Sequence, residues 1–93
     1  FPTPREYAEQ AAAEAELVLE QVRLTCAKAG LECQLTHGID SHPYRLILET
    51  ARERHCDLIC MSSHGRSGIS ALLLGSEAQK VLSHGQLPVL IVR

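Results

Sequence analysis

The spacing of apolar and polar residues predicts a long first helix. Apolar residues recur at intervals of three and four from about Pro4 to Ala29, which is the period of a helix with one buried face. The predicted stripe comprises Tyr7, Ala11, Ala15, Val18, Val22, Cys26 and Ala29. Thr3 and Glu6 form a capping-box pattern around Pro4, and Gly30 suits the left-handed position after the last turn. We therefore expect this helix to pack on a sheet.

The following segments alternate in predicted type. Glu32 to Ile39 shows alternation with a period of two, which predicts a strand. A turn ending at Pro43 leads into a helix that should end near His55. The predicted buried stripe of that helix is Tyr44, Ile47, Leu48 and Ala51.

The last third of the chain repeats the alternation. The apolar run from Asp57 to Ser62 is typical of a parallel strand that is covered on both faces. Ser76 to His84 is predicted to be a helix, with Ser76 and Gln79 as its capping box, and Val89 to Val92 a strand. The order of helix, strand, helix, strand, helix, strand predicts an α/β protein with a parallel sheet.

Composition narrows the function classes. The chain has 93 residues, enough for one domain, with 45% hydrophobic and 22% charged residues. A net charge of -2 with scattered Lys and Arg argues against a nucleic-acid surface. The four cysteines show no Cys-x-x-Cys pair or zinc-like spacing, which favours packed thiols in a reducing cytosol. With no membrane-spanning run or secretory signal, we expect a cytoplasmic protein without a membrane partner. Because residue 1 is Phe rather than Met, we also expect a processed, truncated or partly recorded chain.

The candidate site is the segment from Ser62 to Ser76. It follows a predicted strand, contains small residues and glycines, and ends at a predicted helix start. The first N–H groups of a helix have no partner within it and the helix dipole favours negative charge, so this arrangement suits phosphate. The alternative is a tight turn with Ser76 acting only as a helix cap.

The strings MSSHGRSG, LLLGS, KVL and PVLIVR resemble the C-terminal end of the universal stress protein family. Nucleotide-binding members carry a glycine, two residues, a second glycine, nine residues, and then Gly-Ser or Gly-Thr. Gly65 and the pair Gly75-Ser76 match this pattern, whereas Ser62 stands where the first glycine is expected. A hydroxymethyl group at Ser62 would lie where the backbone approaches the nucleotide closely.

The resemblance implies a three-layer α/β/α fold of the adenine-nucleotide alpha-hydrolase type. Family members have five parallel strands in the order 3-2-1-4-5. This chain looks like a single, N-terminally truncated domain over residues 1–93 that lacks the first two strands and the first helix. It would also lack the aspartate of the family's first strand, so a complete adenine pocket is not expected from these residues.

The resemblance also implies the site residues and the cofactor. The expected nucleotide contacts are Met61, Ser62, Ser63, His64, Gly65, Gly75, Ser76 and Glu77. ATP or a related adenine nucleotide would be the cofactor, with Mg or Mn only as its counter-ion. Glu77 suits the helix dipole but would repel a polyphosphate. Since no general base, nucleophile pair or Walker-type Gly-Lys-Ser is evident, at most slow ATP hydrolysis is expected.

Two functions therefore stay open. The first is a stress-response module that binds ATP through the segment from Ser62 to Ser76 and forms a homodimer through Val89 to Val92. The second is an interaction module that works through dimerisation without a nucleotide. The matching glycines and Ser76 favour the first function; Ser62, Glu77 and the absent first strand favour the second.

Overall fold

A computed structural model describes residues 1–63 and 74–93. The elements in these residues are α1 (Pro4–Lys28), α2 (Pro43–Glu53), β1 (Ile59–Ser62), α3 (Ser76–His84) and β2 (Val89–Val92). The chain divides into two compact units, Phe1–Ile39 and Asp40–Arg93.

Helix α1 begins and ends with the motifs that the sequence predicts. Thr3 Oγ1 accepts a hydrogen bond from the Glu6 N–H at 3.1 Å, and Glu6 Oε2 accepts one from the Thr3 N–H at 3.0 Å. After the helix, Gly30 has φ +71° and the Leu31 N–H donates to the Cys26 carbonyl at 2.9 Å. These bonds satisfy groups at both helix ends, so the predicted caps are confirmed.

The apolar stripe of α1 is not covered as the sequence predicts. No residue of α1 is buried, and Val18 is 51% exposed. The predicted strand from Glu32 to Ile39 is also wrong, because these residues form no regular structure. Alternation of apolar and polar residues predicts a strand with two unequal faces, but a strand also needs a neighbouring strand for its backbone hydrogen bonds. Among the described residues of this unit there is no second strand for it to pair with.

The second unit contains the remaining four elements. Strands β1 and β2 pair in parallel, with Ile59 opposite Val89 and Ser62 opposite Val92. Helices α2 and α3 pack together. The core consists of Ala51, Ile59, Ala78 and Val81, flanked by partly buried Tyr44, Ile47, Leu48, Met61, Leu87 and Val89. The apolar stripe predicted for α2 thus faces one small core, to which α3 contributes Ala78 and Val81.

Helix α2 ends with an unusual cap. His55 occupies the position after its end with φ +54°, and the Cys56 N–H donates to the Ala51 carbonyl at 2.9 Å. This is the bond pattern that Gly30 supports after α1, here made with a residue that carries a side chain. The predicted end of this helix near His55 is confirmed.

Candidate functional site

The candidate site lies where β1 ends and α3 begins. Ser63 follows β1, and its N–H donates to the Val92 carbonyl at 2.8 Å, so it continues the pairing of the two strands. The Ser63 carbonyl in turn accepts a hydrogen bond from the Gly75 N–H. Residues that are distant in sequence are therefore joined at the carboxyl edge of the parallel pair, which is where open α/β sheets hold ligands.

Ser63 carries the most informative polar group of this region. The residue is only 7% exposed, and its hydroxyl has no hydrogen-bond partner among the described residues. A buried hydroxyl without a partner costs about 1–3 kcal/mol relative to one that is bonded. A group of this kind needs a specific explanation, of which a water, ion or ligand that completes the hydrogen bonding is one.

The start of α3 differs from the predicted capping box. Gly75 is the N-cap residue, with φ −60° and ψ 153°, and it makes no side-chain capping bond. Ser76 is therefore the first helical residue, and the predicted box with Gln79 is wrong. The Gln79 side chain instead donates from Nε2 to the Leu74 carbonyl at 2.7 Å. A glycine at the N-cap has no side-chain oxygen, so the cap residue itself offers no acceptor to the first N–H groups of α3.

The Glu77 side chain belongs to α3 but forms a hydrogen bond with the start of α2. Its Oε2 accepts a hydrogen bond from the Tyr44 N–H at 2.8 Å, and its Oε1 lies 3.8 Å from Lys80 Nζ. Tyr44 lies in the first turn of α2, whose own N-cap residue, His42, makes no side-chain capping bond. Glu77 therefore caps α2 from outside, and part of its charge is balanced there.

The other predicted contacts are distributed as follows. Met61 is partly buried in β1, and Ser62 is exposed at the end of that strand. Ser76 is exposed in the first turn of α3. His64 and Gly65 lie outside the described residues. Within residues 1–63 and 74–93, the structure thus brings Ser63, Gly75 and the start of α3 together.

Two features were not accessible to sequence reasoning. The burial of the Ser63 hydroxyl depends on packing, which the small residues around Ser63 do not reveal. The bond between Tyr44 and Glu77 spans 33 positions. The only available signal was the absence of a good capping residue before Pro43, since His42 caps poorly.

These observations define the class of protein. A parallel strand–helix–strand unit, with the helix starting at the carboxyl edge of the strands, belongs to the α/β proteins that place ligands at that edge. No long apolar helix able to cross a membrane occurs in residues 1–63 or 74–93.

The chain belongs to the universal stress protein family, because residues 2–93 match the model of that family. Universal stress protein MJ0531 of Methanocaldococcus jannaschii is 31% identical over 80 residues, covering 86% of this chain and 46% of the relative. Universal stress protein YxiE of Bacillus subtilis is 34% identical over 76 residues, covering 82% of this chain and 51% of the relative. The chain spans about half the length of these relatives.

A solved structure of the protein MJ0577 supports the fold. It superposes with a TM-score of 0.82 at 28% identity, covering 95% of this chain and 60% of that chain. MJ0577 is itself named a universal stress protein of Methanocaldococcus jannaschii. The predicted fold class, the parallel α/β fold of this family, is confirmed.

Proposed function

We propose that this chain is a stress-response module that binds the phosphates of ATP or a related adenine nucleotide between β1 and α3. The observation that carries the proposal is the buried hydroxyl of Ser63, which has no hydrogen-bond partner in residues 1–63 and 74–93 and lies near the start of α3, where the cap residue is Gly75. Phosphate oxygens are acceptors, which match both a serine hydroxyl and the first N–H groups of a helix. The donors in the described residues thus fit the cofactor that the family resemblance implies.

The proposed contacts divide by chemistry. Ser63 and Ser76 offer hydroxyl groups, while Gly75 lets the ligand approach the backbone without a side chain in the way. Met61 and Ser62 would border the ribose, as would His64 and Gly65, which lie outside the described residues. Glu77 would contribute its backbone N–H, because its carboxylate already accepts a hydrogen bond from Tyr44.

The Ser63→Ala variant tests this proposal sharply. Because the hydroxyl is buried and has no partner in the part of the chain that the structure describes, its removal should leave thermal stability unchanged or higher. If the hydroxyl binds phosphate, the same variant should bind ATP about tenfold more weakly, the equivalent of about 1.4 kcal/mol. Calorimetric titration with ATP measures the affinity, and inorganic triphosphate as a second ligand isolates the phosphate contribution.

Two further variants complete the design. Ser83→Ala is the matched control, since Ser83 is an exposed serine in the last turn of α3 whose hydroxyl donates to the Gln79 carbonyl. Gly75→Ala adds one methyl group at a backbone conformation that every residue type tolerates, so it should reduce affinity without unfolding the helix start. If wild-type protein does not bind ATP, or if Ser63→Ala binds as tightly as wild type, the proposal fails.

The second candidate function is interaction through dimerisation, which the exposed strand β2 favours. Among the described residues β2 pairs only with β1, and Leu90 and Val92 are 52% and 48% exposed. We propose that a second copy pairs with this edge through Val89–Val92, because an apolar edge otherwise invites uncontrolled association.

Light scattering after size exclusion tests the dimer. Leu90→Lys should give a monomer, since two-fold pairing of the strands brings like charges close together. Leu82→Lys is the matched control, because Leu82 is 46% exposed on α3 rather than on the strand. A wild-type protein that is monomeric at micromolar concentration, or a dimeric Leu90→Lys variant, would contradict this assignment.

A further inference from the structure

A groove runs along one side of α2 in the second unit. Its volume is about 810 Å³, and its lining residues belong to two stretches of chain, residues 44–56 and residues 84–87. From Tyr44 to His55 the groove follows α2 and its C-terminal cap for about 16 Å, since a helix rises about 1.5 Å per residue. Clefts of this volume are typical of small-molecule sites. The groove lies at the C-terminal end of α3, whereas the proposed phosphate site lies at its start, so the two sites are separate.

The floor of the groove is apolar. Leu48 and Leu87 are half-buried and pack against the core, and Ala51 is part of the core. Gly85 lets the segment after α3 lie close to α2, because a Cβ atom at this position would stand 2.7 Å from Leu48 Cδ2 and 2.8 Å from the Val81 carbonyl oxygen. Its φ of −92° suits any residue, so the close approach, and not the backbone conformation, requires glycine. The resulting floor suits an apolar chain.

One end of the groove is formed by two rings. The centroids of the Tyr44 and His84 rings lie 4.9 Å apart, near the start of α2. His84 Nδ1 lies 2.9 Å from the Lys80 carbonyl oxygen, to which it donates a hydrogen bond. These contacts hold the His84 ring in place, so this end of the groove is formed before any ligand binds.

The rim of the groove carries an excess of positive charge. Arg45, Glu49 and Arg52 are exposed, line the groove, and follow one another at spacings of four and three, which places them on one side of α2. Within residues 1–63 and 74–93, neither arginine forms a salt bridge with a carboxylate. Two guanidinium groups against one carboxylate make this rim positive on a chain whose net charge is -2. An anion is therefore the complementary ligand.

We propose that the groove binds a small amphiphilic carboxylate. Its apolar chain would lie on Leu48, Ala51 and Leu87, and its carboxylate would bind the guanidinium groups of Arg45 and Arg52. Guanidinium groups bind carboxylates through two parallel N–H donors, which favours this anion. The chain contributes by covering apolar surface, so neither half of the ligand suffices alone.

Titration of the full chain with octanoate, followed by ¹H–¹⁵N NMR spectra, tests the site. Saturable amide shifts are expected in residues 44–56 and 84–87. Octylamine has the same chain with the opposite charge and should bind at least about tenfold more weakly, because it meets two cations at the rim. Acetate has the charge without the chain and should give no saturable shifts.

Matched variants separate the rim from the overall charge. The double variant Arg45→Gln, Arg52→Gln should bind octanoate about tenfold more weakly. The double variant Arg5→Gln, Arg93→Gln removes the same charge from exposed residues outside the groove and should bind as wild type does. Both pairs are exposed, so the amide spectra should show that each variant stays folded.

Five results would overturn the inference. These are no saturable binding of octanoate, shifts confined to the exposed apolar residues of α1 or β2, equal binding of octylamine, unchanged affinity after loss of Arg45 and Arg52, and an equal loss in the control variant. If the groove amides shift with protein concentration alone, a second copy covers the groove, and the carboxylate assignment also fails.

Discussion

The Glu77→Ala variant provides the most direct test of how the second unit is held together. Glu77 Oε2 accepts the Tyr44 N–H at 2.8 Å, and this bond is partly buried. The N-cap residue of α2, His42, makes no side-chain capping bond of its own. Removing the carboxylate therefore leaves an N–H in the first turn of α2 without its acceptor, and also removes a negative charge from the positive end of that helix.

The expected loss follows from these two contributions. A hydrogen bond to a charged group contributes about 1.5–3 kcal/mol, and a charge at a helix start about 0.3–1 kcal/mol. The Glu77 side chain is 34% exposed, so in the variant water can partly take over its hydrogen bond. The lower end of these free-energy ranges therefore applies. We expect Glu77→Ala to lower the free energy of unfolding of this unit by about 2 kcal/mol. Glu77→Gln keeps an acceptor and should lose about half as much.

Native-state hydrogen exchange by NMR measures this loss of stability at individual residues. The Tyr44 amide should exchange faster in Glu77→Ala, and the amides of the Ala51 turn should lose protection by the full change in stability. Glu49→Ala is the control, because Glu49 is an exposed carboxylate in the middle of α2, away from the first turn of that helix. If the exchange rate of the Tyr44 amide is unchanged in Glu77→Ala, or rises equally in Glu49→Ala, the capping argument is refuted.

Three further changes test other parts of the chain. His55→Gly should stabilise the second unit by about 0.5–1 kcal/mol in urea denaturation, because φ +54° is strained for a residue with a side chain, which outweighs the entropy cost of glycine; a loss of stability would contradict this. The hydrogen bond from Arg23 lowers the pKa of Glu20, so its stabilising contribution is present above the pKa of the unfolded chain and is lost as pH falls through the folded value. NMR titration of the Glu20 carboxyl should show the midpoint rising in Arg23→Gln, and an unchanged midpoint would show that another group causes the shift. Ser62→Gly restores the family's first glycine and should raise ATP affinity by at least about threefold in calorimetric titration; equal or weaker binding would indicate that the Ser62 side chain does not crowd the nucleotide.

Short sequence motifs predicted the structural features whose hydrogen bonds join residues close in sequence. The capping box at Thr3 and the glycine turn after α1 depend only on residues within one or two helical turns. The apolar runs of β1 and β2 were sufficient because each strand has the other as a parallel partner. Sequence therefore predicted these elements and the family, since the motifs that carry both lie within short segments.

The wrong predictions concern features that need a distant partner. The segment from Glu32 to Ile39 has a strand pattern, but within its own unit of the described chain no second strand pairs with it. The predicted bounds of α3, Ser76 to His84, are confirmed, but Ser76 was also assigned the N-cap because its hydroxyl suits that role, whereas Gly75 takes that position. At the site, the residue types were readable from sequence, whereas the burial of Ser63 depends on three-dimensional packing.

The contact of Glu77 with α2 also changes the electrostatic argument about the site. From sequence alone, a carboxylate in the first turn of α3 should oppose a polyphosphate. In the structure, that carboxylate accepts a hydrogen bond from the start of α2 and lies 3.8 Å from Lys80 Nζ, so its charge is partly balanced away from the start of its own helix. The backbone N–H groups of α3 can then act as donors without a directly opposing carboxylate. Glu77 thus belongs to the packing of the two helices, and its presence does not by itself argue for the interaction module over phosphate binding.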